Sequence, residues 1–487
     1  AQVHLVFAAF QPCEEAAQAA KKAFIMTRFG DIGLFIGLVL LLLNLPVEAG
    51  ESRGLLISSV LEAVNEGSLK GRLPYGVDLV TGIGLLLFCG IVGKSAQFPL
   101  HTWLPDAMEG PTPVSSLLHS ATMVAAGVYL FALLQPLFLA SQVTSTVALS
   151  VAVGTAVLSA GVAMVVLDMK RVLAWSSISQ LSFMLMGLAA GSQVAGFFHL
   201  VTHAGFKCLL FLTAGILIHL AHSGNMVDMG RKVGGTSRAA TFGLLVGAAS
   251  LAGVPALAGF MSKEVVLAKL HHHQGFEGFY ALALLGSAMT AYYSTRMVCL
   301  ILRPAGGSQD HEDPDLDEDH EGPLTIMSAV VTVLALATLG IGWAGPTVAG
   351  HLGAASESVA IHWASPGVAM AMVALALGAG LAWRDFGAEG AARVGFIHRH
   401  PGVEHMLANG WYVDRFWRWI SDRVVDSFIG LALLIDRSVV DENVDNLGYG
   451  ARRGGIFTAR LQNGRLQVYL SATLALLAVG LLLLTRI

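Results

Sequence analysis

Charged residues are scarce in this sequence. Asp, Glu, Lys and Arg make up 13% of its 487 residues, whereas 55% are hydrophobic and the mean hydropathy is +0.67. Soluble domains carry about 25% charged residues, so this composition excludes an ordinary soluble protein. The near balance of 29 basic and 33 acidic residues offers no cationic surface for nucleic acid. We therefore predict a polytopic helical membrane protein that has no nucleic-acid partner.

Cysteine is equally rare. The cysteines are scattered and form no CxxC pair, which argues against an iron–sulfur cluster on this chain: Cys13, Cys89, Cys208 and Cys299. The adjacent histidines of residues 271–273 cannot share one helical face, so they do not suit a metal ion. The acidic stretch 308–321, with His311 and His320, is typical of a solvated loop. We expect this chain to bind no metal and no cofactor.

Long apolar runs recur along most of the chain, each near the roughly 20 residues that a helix needs to cross a bilayer. About eleven membrane helices are predicted, over residues 24–44, 77–98, 114–138, 144–168, 173–190, 196–220, 240–268, 277–301, 324–347, 366–383 and 467–485. If they alternate in direction, most loop Lys and Arg residues fall on one side, which the positive-inside rule makes cytoplasmic. The C-terminus then lies on the outer face.

The stretch GKSAQFPLHTWLPDAMEGPTPVSSLLHSATMVAAGVY, residues 93–129, interrupts the apolar pattern. It places Lys94 at the end of an apolar run, breaks the backbone with several prolines and continues into a helix that contains His119. Ionisable groups and irregular backbone survive at membrane depth only where protein or a polar cavity surrounds them. This stretch therefore predicts a polar pathway through the membrane.

Further ionisable residues follow inside the predicted helices. Arg28 and Asp31 are spaced i, i+3, which predicts an ion pair on one helix face. His199, His203 and Lys207 are spaced i, i+4, i+8 in FFHLVTHAGFKCLLFL, which aligns them along one face of an apolar helix. Histidine titrates near neutral pH, so this face suits proton relay. For any single residue, the alternatives are snorkelling of the side chain to the membrane surface or a static buried pair.

A second interrupted helix has the sequence LAGVPALAGFMSKEVVL. Gly253–Pro255 and Gly259 break it, and Lys263 and Glu264 follow the break. With the stretch at Lys94, this gives two interrupted helices that each have a nearby lysine. Paired interrupted helices in two halves of a chain indicate inverted repeats with ion sites at the breaks.

These motifs resemble the antiporter-like subunits of respiratory NADH:quinone oxidoreductase (complex I), and most of all its subunit L. The stretch from Gly93 carries the resemblance, together with DMKRVLAWSSISQLSFM, HLVTHAGFKCLLFLTAGILIH and LAGFMSKE. The resemblance covers nearly all of residues 16–487. It implies an all-α membrane bundle of the inverted-repeat, antiporter-like fold with discontinuous helices, which moves protons along a polar axis coupled to redox chemistry in other subunits.

Carried over by motif, the proton-pathway residues are Lys94, Lys170, His199, His203, Lys207 and Lys263, and the supporting residues are Arg28, Asp31, His119 and Glu264. Lys94 and Lys263 would be the channel lysines of the two halves, and Lys170 a connecting lysine. The resemblance implies a non-redox subunit with NADH, FMN, Fe–S clusters and quinone on partner subunits. It also implies an M-type antiporter-like neighbour and a place in the inner cell membrane.

The resemblance sets the expected domain limits: an unmatched segment 1–15, halves 16–140 and 141–302, further helices 303–404, a lateral amphipathic helix 405–466 and a last membrane helix 467–487. Subunit L carries several more helices ahead of residue 16, the last with a glutamate for the channel lysine. We therefore expect Lys94 to lack its carboxylate and the first half-channel to be incomplete here. Those helices would lie on another chain or another segment, or be lost.

Other functions stay open. The same motifs occur in Mrp-type cation/proton antiporters, for which sodium-dependent exchange without NADH or quinone would be diagnostic. A membrane partner of hydrogenase or inorganic-carbon uptake systems is a related alternative. A structural membrane scaffold is a third. The aligned histidines and lysine argue against a scaffold, because a scaffold needs no titratable line.

Overall fold

The computed structural model describes residues 14–46, 56–272, 275–303, 318–387, 395–436, 441–462 and 464–485. Within these ranges β-pairing is limited to isolated bridges between Arg72 and Asp78 and between Asp168 and Asn225. The predicted all-α membrane class is confirmed. The chain divides into two compact units, one ending at Asp414 and the other starting at Arg415.

Between residues 14 and 221, the described helices are α1 (Glu14–Asn44), α2 (Ile57–Asn65), α3 (Leu79–Lys94), α4 (Trp103–Asp106), α5 (Thr112–Ser120), α6 (Met123–Leu133), α7 (Gln135–Leu139), α8 (Gln142–Ala163), α9 (Met169–Ala189) and α10 (Gln193–Ala221). They are followed by α11 (Met226–Val233), α12 (Arg238–Ala252), α13 (Ala258–His271), α14 (Glu277–Leu302), α15 (Glu318–Ile341), α16 (Gly345–His351), α17 (Pro366–Phe386), α18 (Pro401–Ala408), α19 (Val413–Ile435), α20 (Glu442–Leu461) and α21 (Leu466–Leu484).

Among the described residues, eight helical segments are long and apolar enough to cross a membrane: α1, α5 with α6, α8, α9, α10, residues 324–351, α17 and α21. The helices α3 and α12 are apolar but shorter. Most predicted spans therefore correspond to observed helices. The first helix begins earlier than the predicted residue 24, and its first turn contains Glu14 and Glu15.

Short polar side chains mark where several helices begin. Each accepts a hydrogen bond from the backbone N–H three residues later: Asp78, Ser141, Asp168, Ser192, Ser237 and Ser365. The first N–H groups of a helix have no partner within the helix, and a membrane supplies none. These caps therefore help to set where the helices start.

The helices α12 and α13 are two arms of one interrupted span, as the sequence predicted. Gly253 ends α12 with φ at 86°, a left-handed conformation that glycine adopts without steric cost. Gly259 packs so closely on the Ser250 carbonyl that a Cβ atom would overlap it. The interruption leaves carbonyl groups at the end of α12 without helical partners.

The chain also leaves the helix directly after Lys94, at the predicted proline-rich stretch. The sequence analysis expected one continuous helix over 114–138, and this was wrong. The helix stops at Ser120 and restarts at Met123, because the Thr122 backbone (φ −111°, ψ −95°) is not helical. The Thr122 hydroxyl donates to the Leu117 carbonyl at 3.0 Å and thereby satisfies a carbonyl near the interruption.

Glycine lets α1 and α3 approach closely. The Cβ that Gly30 lacks would lie 2.7 Å from the Cys89 carbonyl and 3.0 Å from the Gly93 Cα. Because Asp31 follows Gly30 and Lys94 follows Gly93, this crossing also brings a carboxylate beside an ammonium group. The close packing of Gly30 on Gly93 therefore brings Asp31 and Lys94 together.

The second unit contains the rest of α19, then α20 and α21. Within the predicted lateral amphipathic helix 405–466, residues 413–435 form one helix and residues 442–461 form a second. Its lateral position along the membrane stays a prediction. Residues 1–13, His273, His311 and the side chain of His320 lie outside what the structure describes, as does most of the acidic stretch.

Replacing Gly30 with Ala is expected to lower the thermal unfolding midpoint of the detergent-solubilised protein. The added Cβ must push α1 away from α3, and overpacking typically costs about 1–3 kcal/mol. Gly154→Ala is the matched control, because a Cβ at Gly154 meets nothing within 4 Å. Equal midpoints for the two variants would contradict the close crossing.

Candidate functional site

Three titratable side chains lie in a row inside α10. His199, His203 and Lys207 each have an exposed fraction of 0%. The imidazole centroids of His199 and His203 are 6.4 Å apart, and Lys207 follows one turn later. The helical spacing thus places all three in the interior of the first unit.

The two histidines differ in their contacts. His199 Nδ1 forms a 2.8 Å hydrogen bond with Ser262 Oγ, and Thr202 donates to the same hydroxyl at 2.7 Å. Neither ring nitrogen of His203 has a hydrogen-bond partner among the described residues. A buried imidazole without a fixed protein partner is free to bond with mobile groups.

Lys207 is bound by neutral oxygen atoms. Its Nζ donates to the Leu173 carbonyl at 2.9 Å and to Ser176 Oγ at 2.6 Å, both on α9. No salt bridge to Lys207 occurs in the described part of the chain. The Lys207 ammonium group is therefore held by hydrogen bonds to neutral oxygens and not by an ion pair with a described residue.

Lys263 occupies the interruption between α12 and α13. Its Nζ donates to the Leu251 carbonyl at 2.7 Å, one of the groups that the break leaves without a helical partner. The same nitrogen lies 5.6 Å from the centroid of the Phe183 ring. The broken helix thus builds a binding site for a lysine in the interior.

Glu264 is adjacent to Lys263 in sequence but faces a different neighbourhood. A Cβ atom on Gly367 of α17 would lie 3.6 Å from Glu264 Oε1 and 3.8 Å from the Tyr280 hydroxyl. Glu264 Oε2 and the Tyr280 hydroxyl have no partner among the described groups. The carboxylate therefore lies toward α14 and α17, and no ion pair between Glu264 and Lys263 is found in the described residues.

His119, on α5, lies beside this row. Its ring lies 4.9 Å from the Phe211 ring of α10, and it is within electrostatic range of Lys207 and His203. Both of its ring nitrogens are buried without a partner in the described protein. The helix α5 thus supplies another titratable group to the same interior region.

Lys94 has a carboxylate partner. Its Nζ lies 3.0 Å from Asp31 Oδ2, and Arg28 Nη1 contacts the same oxygen at 2.9 Å. The Arg28–Asp31 pair was predicted correctly from the sequence. The Asp31–Lys94 pair was not predicted, and the glutamate that Lys94 was expected to lack is a different carboxylate. The Asp31–Lys94 pair results from the glycine crossing of α1 and α3, which the pattern of either helix alone does not reveal.

Lys170 is placed apart from this row. Its Nζ donates to the carbonyls of Met108 and Gly110 at 2.7 and 3.3 Å. Its charged neighbours are Asp168, Glu109 and Arg171, and the last two are 3.3 Å apart. The structure thus joins Lys170 to the loop before α5 and shows no direct contact with Lys94 or Lys207 in the described residues.

The sequence analysis missed the polar residues that hold the titratable groups. Ser176 and Ser262 bind Lys207 and His199, as described above. Gln97 accepts a hydrogen bond from Ser182 at 2.8 Å and donates to the Ser95 carbonyl, which links the residues after Lys94 to α9. The available signal in the sequence was the run SSISQLS inside an apolar helix.

A second missed cluster joins three segments of the first unit. Lys22 on α1 lies 2.6 Å from Asp106 and 2.5 Å from Asp414 at the start of α19. Lys22 was assigned no role from the sequence, because the first helix was predicted to begin at residue 24, whereas the observed helix begins at Glu14 and contains Lys22.

Comparison with known proteins gives a consistent assignment. The transmembrane family described as NADH:quinone oxidoreductase/Mrp antiporter matches residues 3–290. Subunit 5 of NAD(P)H-quinone oxidoreductase from the organellar chromatophore of Paulinella chromatophora is 32% identical, over 94% of this chain and 72% of that protein. Chain 5 from a Picosynechococcus species is also 32% identical, over 93% of this chain and 72% of that protein.

The fold is similar to a chain in the solved Mrp complex from Dietzia sp. The TM-score is 0.63 at 25% sequence identity, and the match covers 100% of this chain. It covers 48% of the Dietzia chain, so this chain spans about half the length of that one.

The family match also corrects the expectation that nothing before residue 16 resembles the family, since it begins at residue 3. It covers more than half of the chain, and the subunit 5 relatives extend the likeness over more than nine-tenths of it. This chain belongs to the membrane family of NADH:quinone oxidoreductase and Mrp antiporter subunits, and within it resembles the subunit 5, or L, type.

Proposed function

We propose that this chain moves protons across the membrane as the antiporter-like subunit of an NAD(P)H:quinone oxidoreductase. The buried row His199–His203–Lys207, approached by His119 and Lys263, carries the proposal. Ionisable residues are costly inside an apolar membrane bundle, so a cluster of this size favours a role in proton exchange. The subunit 5 relatives support the assignment to this kind of complex.

In the proposed pathway, Lys263 and Lys207 hold protons at two stations joined by the histidines. Ser262 precedes Lys263 and binds His199, so the lysine station and the first imidazole share one support. The 6.4 Å between the imidazole centroids exceeds direct hydrogen-bond contact, so transfer to His203 requires a rotamer change or an intervening water molecule. Positive charges on Lys263 and Lys207 repel each other, so protonation of one lysine favours release of the proton from the other.

The first half of the pathway is proposed to work through the Asp31–Lys94 pair. A charged Lys94 is stabilised while Asp31 remains close, and it releases its proton more readily when the carboxylate moves away. Arg28 shares Asp31 Oδ2, so it competes with Lys94 for the carboxylate. Exchange of Asp31 between the two cations is therefore a means of changing the charge on Lys94.

The remaining parts of the proposal concern the assembly. The chain is proposed to lie in the inner cell membrane, with its C-terminus on the outer face and an M-type subunit beside it. NADH, FMN, Fe–S clusters and quinone would be bound by partner subunits. Lys170, held by the loop carbonyls before α5, is proposed to connect the two halves through that loop.

Lys207→Met is expected to reduce NADH-driven proton pumping by at least about tenfold, because proton-transfer groups commonly contribute about 10²–10⁴-fold. Methionine keeps the length of the side chain but cannot carry a proton. Pumping is measured by dye quenching in membrane vesicles, and assembly by native gel electrophoresis. Lys21→Met, on the exposed face of α1, is the control. Wild-type pumping by an assembled Lys207→Met complex would refute the proposed role.

Asp31→Asn is expected to lower pumping while leaving stability nearly unchanged. The amide keeps the shape but removes the charge that Lys94 and Arg28 share. The Asp31 and Lys94 side chains are 19% and 31% exposed, so solvent screens the pair and its loss should change the free energy of unfolding by less than about 1 kcal/mol. Asp31→Glu should restore part of the pumping. If Asn and Glu variants pump equally, the carboxylate is not required.

A cation/proton antiporter is the second candidate, because the Dietzia Mrp chain shares this fold over the whole of the present chain. The two candidates differ in their energy source. In vesicles from native membranes, we expect NADH to drive pumping at an equal rate in sodium and choline media. Proton exchange that requires sodium and proceeds without NADH or quinone would instead assign the chain to an antiporter.

A further inference from the structure

The helix α9 contains an unusual run of buried polar residues. Ser177 and Ser179 donate to the carbonyls of Leu173 and Ala156, and Ser182 donates to Gln97. Gln180 stands in the middle of this run with an exposed fraction of 0%, yet neither its amide nitrogen nor its amide oxygen has a partner among the described protein groups.

Tyr293, on α14, lies close to Gln180. Its side chain is 1% exposed, and its hydroxyl lies within interaction range of Ser176, Gln180 and Thr290. None of these neighbours forms a hydrogen bond of good geometry with it. A phenol and a primary amide thus meet in the interior with their polar atoms unpaired by protein.

Such an arrangement is costly unless a small polar molecule completes it. A buried polar group without a hydrogen bond costs about 1–3 kcal/mol, and buried waters bind where two to four polar groups converge. The Lys207 ammonium donates to Ser176 at 2.6 Å, so a positive charge stands next to the site. Repulsion from that charge disfavours a metal cation, whereas a neutral water can both donate and accept.

We propose that Gln180, Tyr293 and Ser176 bind a water molecule that gives Lys207 a second proton connection, separate from the one through His203. The water accepts from the Gln180 amide or the Tyr293 hydroxyl and donates to the Ser176 oxygen, which also accepts from the charged Lys207 and donates to the Leu173 carbonyl. When Lys207 has lost its proton, the Ser176 hydroxyl turns from the Leu173 carbonyl to the Lys207 nitrogen. A proton that reaches the water then passes to the Ser176 oxygen while the Ser176 hydroxyl proton passes to Lys207, so the water and Ser176 end neutral and the charge rests on Lys207. The inference rests on the proposed function of Lys207.

The test compares Tyr293→Phe with Tyr129→Phe in the assembled complex. Both changes remove one hydroxyl, but Tyr129 is 53% exposed on α6, whereas Tyr293 is buried. Tyr293→Phe is expected to reduce the number of protons pumped per NADH several-fold relative to the control. Gln180→Leu, a second variant, should produce the same loss, since each removes one side of the water site.

A structural readout decides the binding site independently of pumping. An electron cryo-microscopy map of the wild-type complex should show density within hydrogen-bond distance of the Gln180 amide and the Tyr293 hydroxyl, and the Tyr293→Phe map should lose it. A direct Gln180–Tyr293 hydrogen bond without intervening density would overturn the proposal. So would density that depends on sodium, because that would assign a cation.

The two proposals can fail separately. If Lys207→Met pumps normally, the proposed function fails, whether or not water occupies the site. If Lys207→Met abolishes pumping but Tyr293→Phe matches its control, the relay stands and the second connection is refuted.

Discussion

The cost of leaving a polar group without a partner in an apolar interior shapes most of this structure. A membrane supplies no water to the backbone, so every interruption of a helix must be satisfied by the protein. At the break between α12 and α13, the ammonium of Lys263 meets this need by binding the Leu251 carbonyl. The break leaves a carbonyl that needs a donor, and the buried lysine needs an acceptor. One hydrogen bond therefore satisfies both groups.

The same constraint explains why the candidate site contains so many serines. A serine hydroxyl can donate to a carbonyl of its own helix and still accept from a neighbour. Ser176 donates to Leu173 and accepts from Lys207, while Ser262 donates to Ala258 and contacts His199. Serine can therefore hold a titratable side chain without adding a charge, which leaves the proton of that side chain free to move.

Much of this could be predicted from sequence, because helix periodicity alone places His199, His203 and Lys207 together. The breaks at Lys94 and Gly253 were also predictable from proline and glycine. The Asp31–Lys94 pair was not, since it depends on how closely two different helices cross, and the sequence of one helix does not encode the position of another. The break after Ser120 was missed because no glycine or proline marks it, and hydroxyl groups stabilise it instead.

The lysines of the proposed pathway differ in their counter-ions. Lys94 has a carboxylate at 3.0 Å, whereas Lys207 and Lys263 are held by neutral oxygens in the described structure. A lysine with a carboxylate retains its proton until the pair opens, so its release is controlled by movement of the partner. A lysine held by neutral oxygens responds instead to the charge of its neighbours. In the proposed pathway, the first station would therefore be governed by geometry and the later ones by electrostatic repulsion, and a proton that enters at one would change the state of the next without any large motion of the helices.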